Sequence, residues 1–110
     1  MGVVFFRSGS GREPVRDWLL EMSREDRKSV GSDIKATQYG WPVGLPLVRK
    51  VEPGIWEVRS RIEAGAARVM FTVDGDDMIL LHGFVKKSMA TPAAELRTTR
   101  RRMARLRGRG

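Results

Sequence analysis

The chain changes hydrophobic period twice, and the changes divide it into a helical stretch, a strand-rich stretch and a second helical stretch. From Pro14 onward, Val15, Trp18, Leu19 and Met22 recur at i, i+3, i+4 and i+7, the spacing of one helix face. Pro14 suits the first helical position, where its missing N–H would have had no partner. Ser23 followed by Asp26 predicts a capping-box-like start to a second helix, in which Val30, Ile34 and Thr37 point one way before Gly40 ends it. The two helices form a hairpin. Ahead of them, Val3 to Arg7 is a short β-rich run that leads into the loop Ser8-Gly9-Ser10-Gly11. After Trp41-Pro42-Val43-Gly44-Leu45-Pro46 the period falls to two. The pattern predicts strands over about 47–51, 55–62, 66–73 and 78–85, joined at Pro53-Gly54, Ala64-Gly65 and Asp74-Gly75-Asp76-Asp77 as successive antiparallel hairpins. Thr91-Pro92 then predicts the start of a final helix with Leu96, Thr99, Met103 and Leu106 as a narrow apolar stripe.

Strand parity decides which side chains share a face. With two-residue turns at Ala64-Gly65 and Gly75-Asp76, even residues of one strand share a face with odd residues of the next. One face then carries Trp56, Val58, Ile62, Ala67, Val69, Phe71, Val73, Met78, Leu80, His82 and Phe84, the expected core face, which the helices should cover. The other carries Ile55, Glu57, Arg59, Arg61, Arg68, Met70, Ile79, Leu81, Gly83, Val85 and Lys87. His82 is accordingly expected as a satisfied core histidine, unless a bulge near Gly83 reverses its direction. On the second face cations outnumber acids and Gly83 leaves space for a ligand backbone, which points to a phosphate-binding groove. The bland reading of the same charges is a set of exposed cross-strand ion pairs, such as Glu57 with an arginine, each worth only about 0.2–1 kcal/mol.

Length and charge narrow the classes. At 110 residues the chain is expected to fold as a single domain, 1–110, burying roughly 60–70% of the surface its unfolded chain exposes. Neither a long apolar span nor a charged-then-apolar leader is visible, so a cytosolic protein with no membrane partner is expected. With no cysteine and one histidine, the sequence offers no thiolate nucleophile and no metal site of the usual ligands, and no cofactor is expected. The Ser8–Gly11 loop lacks the lysine followed by a hydroxyl residue that a P-loop needs, and the acid-rich turn at 74–77 lacks the remaining ligands of a calcium loop. Net charge is +8, and residues 96–110 supply seven arginines without an acid. That basic C-terminal helix or tail suits a polyanion such as RNA or DNA, since each neutralised phosphate releases counterions. A solvated helix end, or a tail answering an acidic protein partner, would carry the same charge.

The run Ile79-Leu80-Leu81-His82-Gly83-Phe84-Val85-Lys86-Lys87 is an apolar strand that finishes on paired cations, and the chemistry is expected there. Four blocks in order are also similar to a known superfamily. They are Glu13-Pro14-Val15-Arg16-Asp17-Trp18-Leu19, Gly54-Ile55-Trp56-Glu57-Val58-Arg59, Ala67-Arg68-Val69-Met70-Phe71, and Leu81-His82-Gly83-Phe84-Val85-Lys86-Lys87 with Thr91-Pro92. Together they resemble the RelE/ParE toxins, and in particular their HigB-type, phage-derived branch. The resemblance implies an α+β, RelE-like fold: an N-terminal strand and helical hairpin packed on an antiparallel sheet, with a C-terminal helix. It implies a ribosome-dependent mRNA endonuclease of a type II toxin–antitoxin system, acting without metal on ribosome-bound mRNA and neutralised by an antitoxin that commonly carries a helix-turn-helix domain.

Carried over by position, Arg68 matches an arginine that contacts the scissile phosphate, and Lys86 and Lys87 match the basic end of the last strand. Arg49 and Lys50 fall where related toxins place sheet-face basic residues. The expected roles are Arg68 and Arg59 clamping the phosphate and Lys86 or Lys87 exchanging protons, with Arg49, Lys50, Arg61, Arg100, Arg101 and Arg102 binding nucleic acid. The departure is the acid/base pair, because the only tyrosine is Tyr39 at the end of the helical hairpin and a histidine pair is impossible. A ParE-like inhibitor of DNA gyrase, or a non-catalytic nucleic-acid-binding protein on the same scaffold, remains open on the sequence.

Overall fold

The computed structural model describes residues 1–87 and 92–108. Its elements run β1 (Gly2–Phe5), α1 (Pro14–Glu21), α2 (Arg24–Gly40), β2 (Val48–Glu52), β3 (Ile55–Ile62), β4 (Gly65–Asp74), β5 (Asp77–Lys86) and α3 (Ala93–Gly108). The five strands form one sheet in the order β1-β5-β4-β3-β2. This is the α+β arrangement expected from the RelE-like resemblance, with one difference. The hairpins β2–β3–β4–β5 are antiparallel, but β1 lies parallel to β5, so the sheet is mixed. No local turn joins β1 to β5, and its direction was therefore not readable from turn chemistry. Among the described residues no helix is long and apolar enough to cross a membrane. Thr91, expected to open the last helix, lies outside the described residues.

The helical hairpin forms for the reasons its sequence suggests. Pro14 occupies the first turn of α1, and the Ser23 hydroxyl caps α2 by accepting the Asp26 N–H at 3.1 Å. Asp26 in turn accepts the Glu63 N–H at 3.0 Å, which ties the start of α2 to the β3–β4 turn. Ser60 on β3 donates to Asp33 on α2 at 2.7 Å. Val15, Leu19, Val30 and Ile34 then pack on Val48, Val58, Ile62, Ala67, Val69, Phe71, Met78 and Leu80, the main core. Trp41 meets Trp56 and Phe71 edge-on at 5.2 and 5.5 Å, closing one end of it.

Two register details set the other face. The β3–β4 turn comes one residue early, with Ile62 opposite Gly65, yet parity survives and the expected faces of both strands stand. On β5 they do not. Phe71 pairs with Leu80, but Met70 pairs with His82, so Leu81 is an extra residue and every later side chain is turned over. His82, Phe84 and Lys86 lie on the second face rather than the core face, while Gly83 and Val85 lie on the core face rather than in a groove. Gly83 leaves no room for a ligand, because a Cβ there would collide with the Trp18 indole. A turn fixes register only until a bulge intervenes, and the strand carries no turn-forming residue to announce one at Leu81.

The second face is partly roofed by α3. Its stripe is the one the spacing predicts: Thr99 is fully buried, Met103 and Leu106 pack on Phe6, Ile79 and Leu81, and Leu96 and Met103 pack on Val51, Ile55, Met70 and Phe84. The sheet is thus covered on both sides near β1 and β5. The part of the second face that holds the arginines of β3 and β4 is outside those clusters.

Candidate functional site

Beside α3, the second face gathers charge from four adjacent strands. β2 contributes Arg49, opposite Glu57 on β3, and Arg59 on β3 lies directly opposite Arg68 on β4. Lys86 on β5 sits one ladder step from Arg68, because Ala66 pairs with Lys86 and Arg68 with Phe84. Two like charges directly across a ladder repel. Arg68 is answered by Glu57, whose carboxylate is 0% exposed. Its Oε2 accepts from Arg49 Nε at 2.8 Å and lies 3.7 Å from Arg68 Nε. Arg68 is itself only 7% exposed and donates from Nη1 to the Ala67 carbonyl at 2.9 Å. Arg68 is on the expected groove face and lines a depression there, though almost buried. One expectation is corrected: Glu57 is a buried counter-anion rather than a surface ion-pair partner. Parity gives a side chain's direction, not its depth.

The environment loosens protons. Burial pulls the Arg68 guanidinium below its ordinary value, with Glu57 opposing and Arg59 and Arg49 adding to the fall. Burial also lowers the Lys86 ammonium, reinforced by Arg68, opposed by Glu57, and reinforced again by Arg49 and Arg59. Lys86 is therefore a better proton donor than a free lysine, with Arg68, Arg49 and Arg59 acting on it against Glu57. At Arg59 and Arg68 the surface opens into a depression of about 650 Å³, lined also by Leu47, Arg61 and Ala66 among others. Along this stretch β2 pairs with β3 no further than Val58, apart from the Arg59 N–H donating to the Leu47 carbonyl at 2.8 Å.

The remaining expected residues are dispersed. Lys50 faces the opposite side of the sheet, its Nζ 5.9 Å from the Trp56 ring centroid. Lys87 is exposed beyond the end of β5. In α3, Arg100 is bound to Glu52, with Nη2 to Oε1 at 2.6 Å, and Arg102 is spent inside the fold, while Arg101 is exposed. Arg102 Nη1 donates to the Leu81 carbonyl at 2.9 Å and to His82 Nδ1 at 3.1 Å. A guanidinium only donates, so His82 Nδ1 carries no proton and Nε2–H donates to Glu95 Oε1 at 3.2 Å. His82 is thus neutral, its value lowered first by burial, against the pull of Glu95. It is a satisfied histidine, as expected, but under α3 instead of in the main core. Among the described residues no group of three His, Asp or Glu side chains could hold a metal ion.

Two comparisons bear on this arrangement. The family model described as Phage derived protein Gp49-like (DUF891) matches residues 17–104, a span that holds β2 to β5 and with them every charged residue of the cluster. No curated protein matches the chain.

Proposed function

The chain belongs to the Gp49-like phage-derived family, a RelE-toxin-like family, and from that premise we propose that it is the toxin of a type II toxin–antitoxin system, a ribosome-dependent endonuclease that cuts mRNA. The observation that carries the reading is the convergence of Arg49, Arg59, Arg68 and Lys86 from four strands onto one face, with the Lys86 proton loosened by its surroundings. RNA cleavage of this kind proceeds by attack of the ribose 2′-hydroxyl on the adjacent phosphate. The 2′-oxygen loses its proton as it bonds to phosphorus, the P–O5′ bond breaks, and the leaving 5′-oxygen takes up a proton. Three needs follow: an acceptor for the 2′-hydroxyl proton, which in this scheme is solvent water or a group of the ribosomal RNA, positive charge on the developing phosphorane dianion, and a proton for the departing oxygen. Arg68 and Arg59 supply the charge in this scheme, and Lys86 the proton. Arg49 and Arg61 extend the cationic track along the strand, and Lys87 sits at its end. The ribosome and mRNA are the partners at this face, and an antitoxin, of the helix-turn-helix type in the resembling branch, is the partner that silences it.

Brief expression without an antitoxin, followed by RNA sequencing of 5′ ends and toeprinting on a programmed ribosome, tests the reading. Breaks at codon positions support it. Loss of DNA supercoiling without mRNA breaks would replace it with gyrase inhibition, and neither effect would leave a non-catalytic binding protein.

A further inference from the structure

We propose that Glu57 is the positioning residue of this face: an internal anion that holds Arg49 and Arg68 where a substrate phosphate takes them, and releases them to the phosphate when it arrives. The inference rests on the phosphate-contacting reading of the face, and it concerns a residue that reading gives no part in the reaction.

Stability does not account for the arrangement. Glu57 is 0% exposed, yet its Oε1 has no hydrogen-bond partner and Arg68 Nε has none either, since 3.7 Å to Oε2 is too long for one. A buried carboxylate with half its acceptor capacity idle is costly, and replacing such a pair with apolar groups is often neutral or stabilising. What Glu57 does instead is electrostatic. Arg59 faces Arg68 across the ladder, Arg49 and Lys86 flank them, and among the described residues no other carboxylate enters the field felt by Lys86. Without the anion the cations would repel one another out of the array. With it they are held together, but incompletely. Arg68 keeps an unused Nε–H, and the Arg49 side chain is 40% exposed. A phosphate that engages both guanidiniums replaces Glu57 as their acceptor and leaves the carboxylate behind them. Because Glu57 has the same sign as the phosphate, it weakens ground-state binding while it keeps the arginines aimed and the Lys86 ammonium protonated. The consequence is a split: the residue lowers affinity and raises turnover.

The experiment uses the full chain with Glu57→Gln, which keeps size and an acceptor for Arg49. Binding is read by fluorescence anisotropy with a short 2′-O-methyl RNA, which has no 2′-hydroxyl to attack. Cleavage is read on programmed ribosomes. Glu57→Gln is expected to bind the oligonucleotide about fivefold tighter, the effect of removing one like charge at contact distance. It is expected to cut mRNA at least about tenfold more slowly, whereas Glu57→Asp keeps the wild-type affinity. Unchanged or weaker binding by a variant that melts like the wild type overturns the proposal. If Glu57→Gln does not fold, the wild-type protein decides. The 15N resonances of Arg49 Nε and Arg68 Nε are both expected to move on titration with the same oligonucleotide, and a stationary Arg49 Nε overturns the handover. Binding is scored without cleavage, so the two readings fail separately. A wild type that never cuts mRNA, beside a Glu57→Gln that binds tighter, sinks the endonuclease and keeps Glu57, whereas a wild type that cuts, beside a Glu57→Gln with no gain in affinity, does the opposite.

Discussion

Lys86 and Arg68 are neighbours on one face, but their substitutions should read differently. Lys86 is partly exposed, and its role in the proposed reaction is the proton, not the charge. Lys86→Arg keeps the charge and removes the readily released proton, since a guanidinium stays protonated throughout the working range. Cleavage should fall about 100-fold or more while binding to a 2′-O-methyl RNA changes less than about twofold. Full activity in Lys86→Arg would assign proton transfer elsewhere, to Lys87 or to ribosomal RNA. Arg68 is different because it is buried against Glu57. Arg68→Ala leaves that carboxylate, among the described residues, with Arg49 as its partner and should destabilise the fold by about 1–3 kcal/mol, measurable by urea unfolding. A loss within about 0.5 kcal/mol, the usual range for a surface change, would mean that Arg68 does not bear on the buried anion. Strand parity placed Arg68 on that side of the sheet from the sequence, but the same parity put Lys87 there and Lys86 on the core side, and only the bulge at Leu81 turns Lys86 over. Their relation to Glu57 was not readable either, because alternation says nothing of how deeply a face is covered.

At the scale of elements, the helical hairpin and the strand hairpins were legible because each is bounded by local chemistry: Pro14, the Ser23 cap, and glycines at positive φ in the turns at Gly54 and Gly75. The Leu81 bulge has no such marker, and it is the bulge that brings His82 and Lys86 to the side of α3 and the arginines. It also makes α3 sensitive to acid. His82 is held neutral, accepting from Arg102 and donating to Glu95, with its folded value below the ordinary 6.5. The unfolded chain therefore binds more protons than the folded one in that range, so stability must fall as pH drops below about 7 and level off under the folded value. Protonation would turn Nδ1 from an acceptor into a donor facing the Arg102 guanidinium, which weakens the α3–β5 contact first. The melting temperature of the wild type is expected to fall between about pH 7 and pH 5, and His82→Gln, which can accept from Arg102 and donate to Glu95, should flatten that fall. Glu52, whose value Arg100 lowers by hydrogen bonding, loses its contribution only in the more acidic carboxylate range, so the two effects separate along the pH axis. An equally steep fall in the variant would assign the acid sensitivity to another group.

Over the whole molecule the excess charge is concentrated in the last fifteen residues, yet the fold divides it. Arg100 is engaged by Glu52 and Arg102 by Leu81 and His82, whereas Arg97, Arg101, Arg105 and Arg107 are exposed along α3. The guanidinium of Arg105 approaches Gly9 and that of Arg107 approaches Gly54, so the helix projects charge over the N-terminal loop and the β2–β3 turn as well as beside the sheet cluster. Composition showed the excess but not which arginines the fold consumes. The exposed set and the sheet set should therefore contribute separately to binding. Changing Arg97, Arg101, Arg105 and Arg107 to Gln spares Arg102 and with it the docking of α3, so the fold should survive with an unchanged melting temperature. If those four meet phosphates, affinity for single-stranded RNA should weaken and the log–log salt slope should become shallower by about 0.7 for each phosphate that is no longer neutralised. Cleavage at saturating ribosomes should stay near the wild-type rate, because Arg59, Arg68 and Lys86 are untouched. An unaltered slope with intact growth arrest would remove the helix from RNA binding and leave the sheet as the whole interface. The arginine face of α3 would then be a solvated helix end or a surface for an acidic protein partner, which binding to the antitoxin, measured on the same variant, would distinguish.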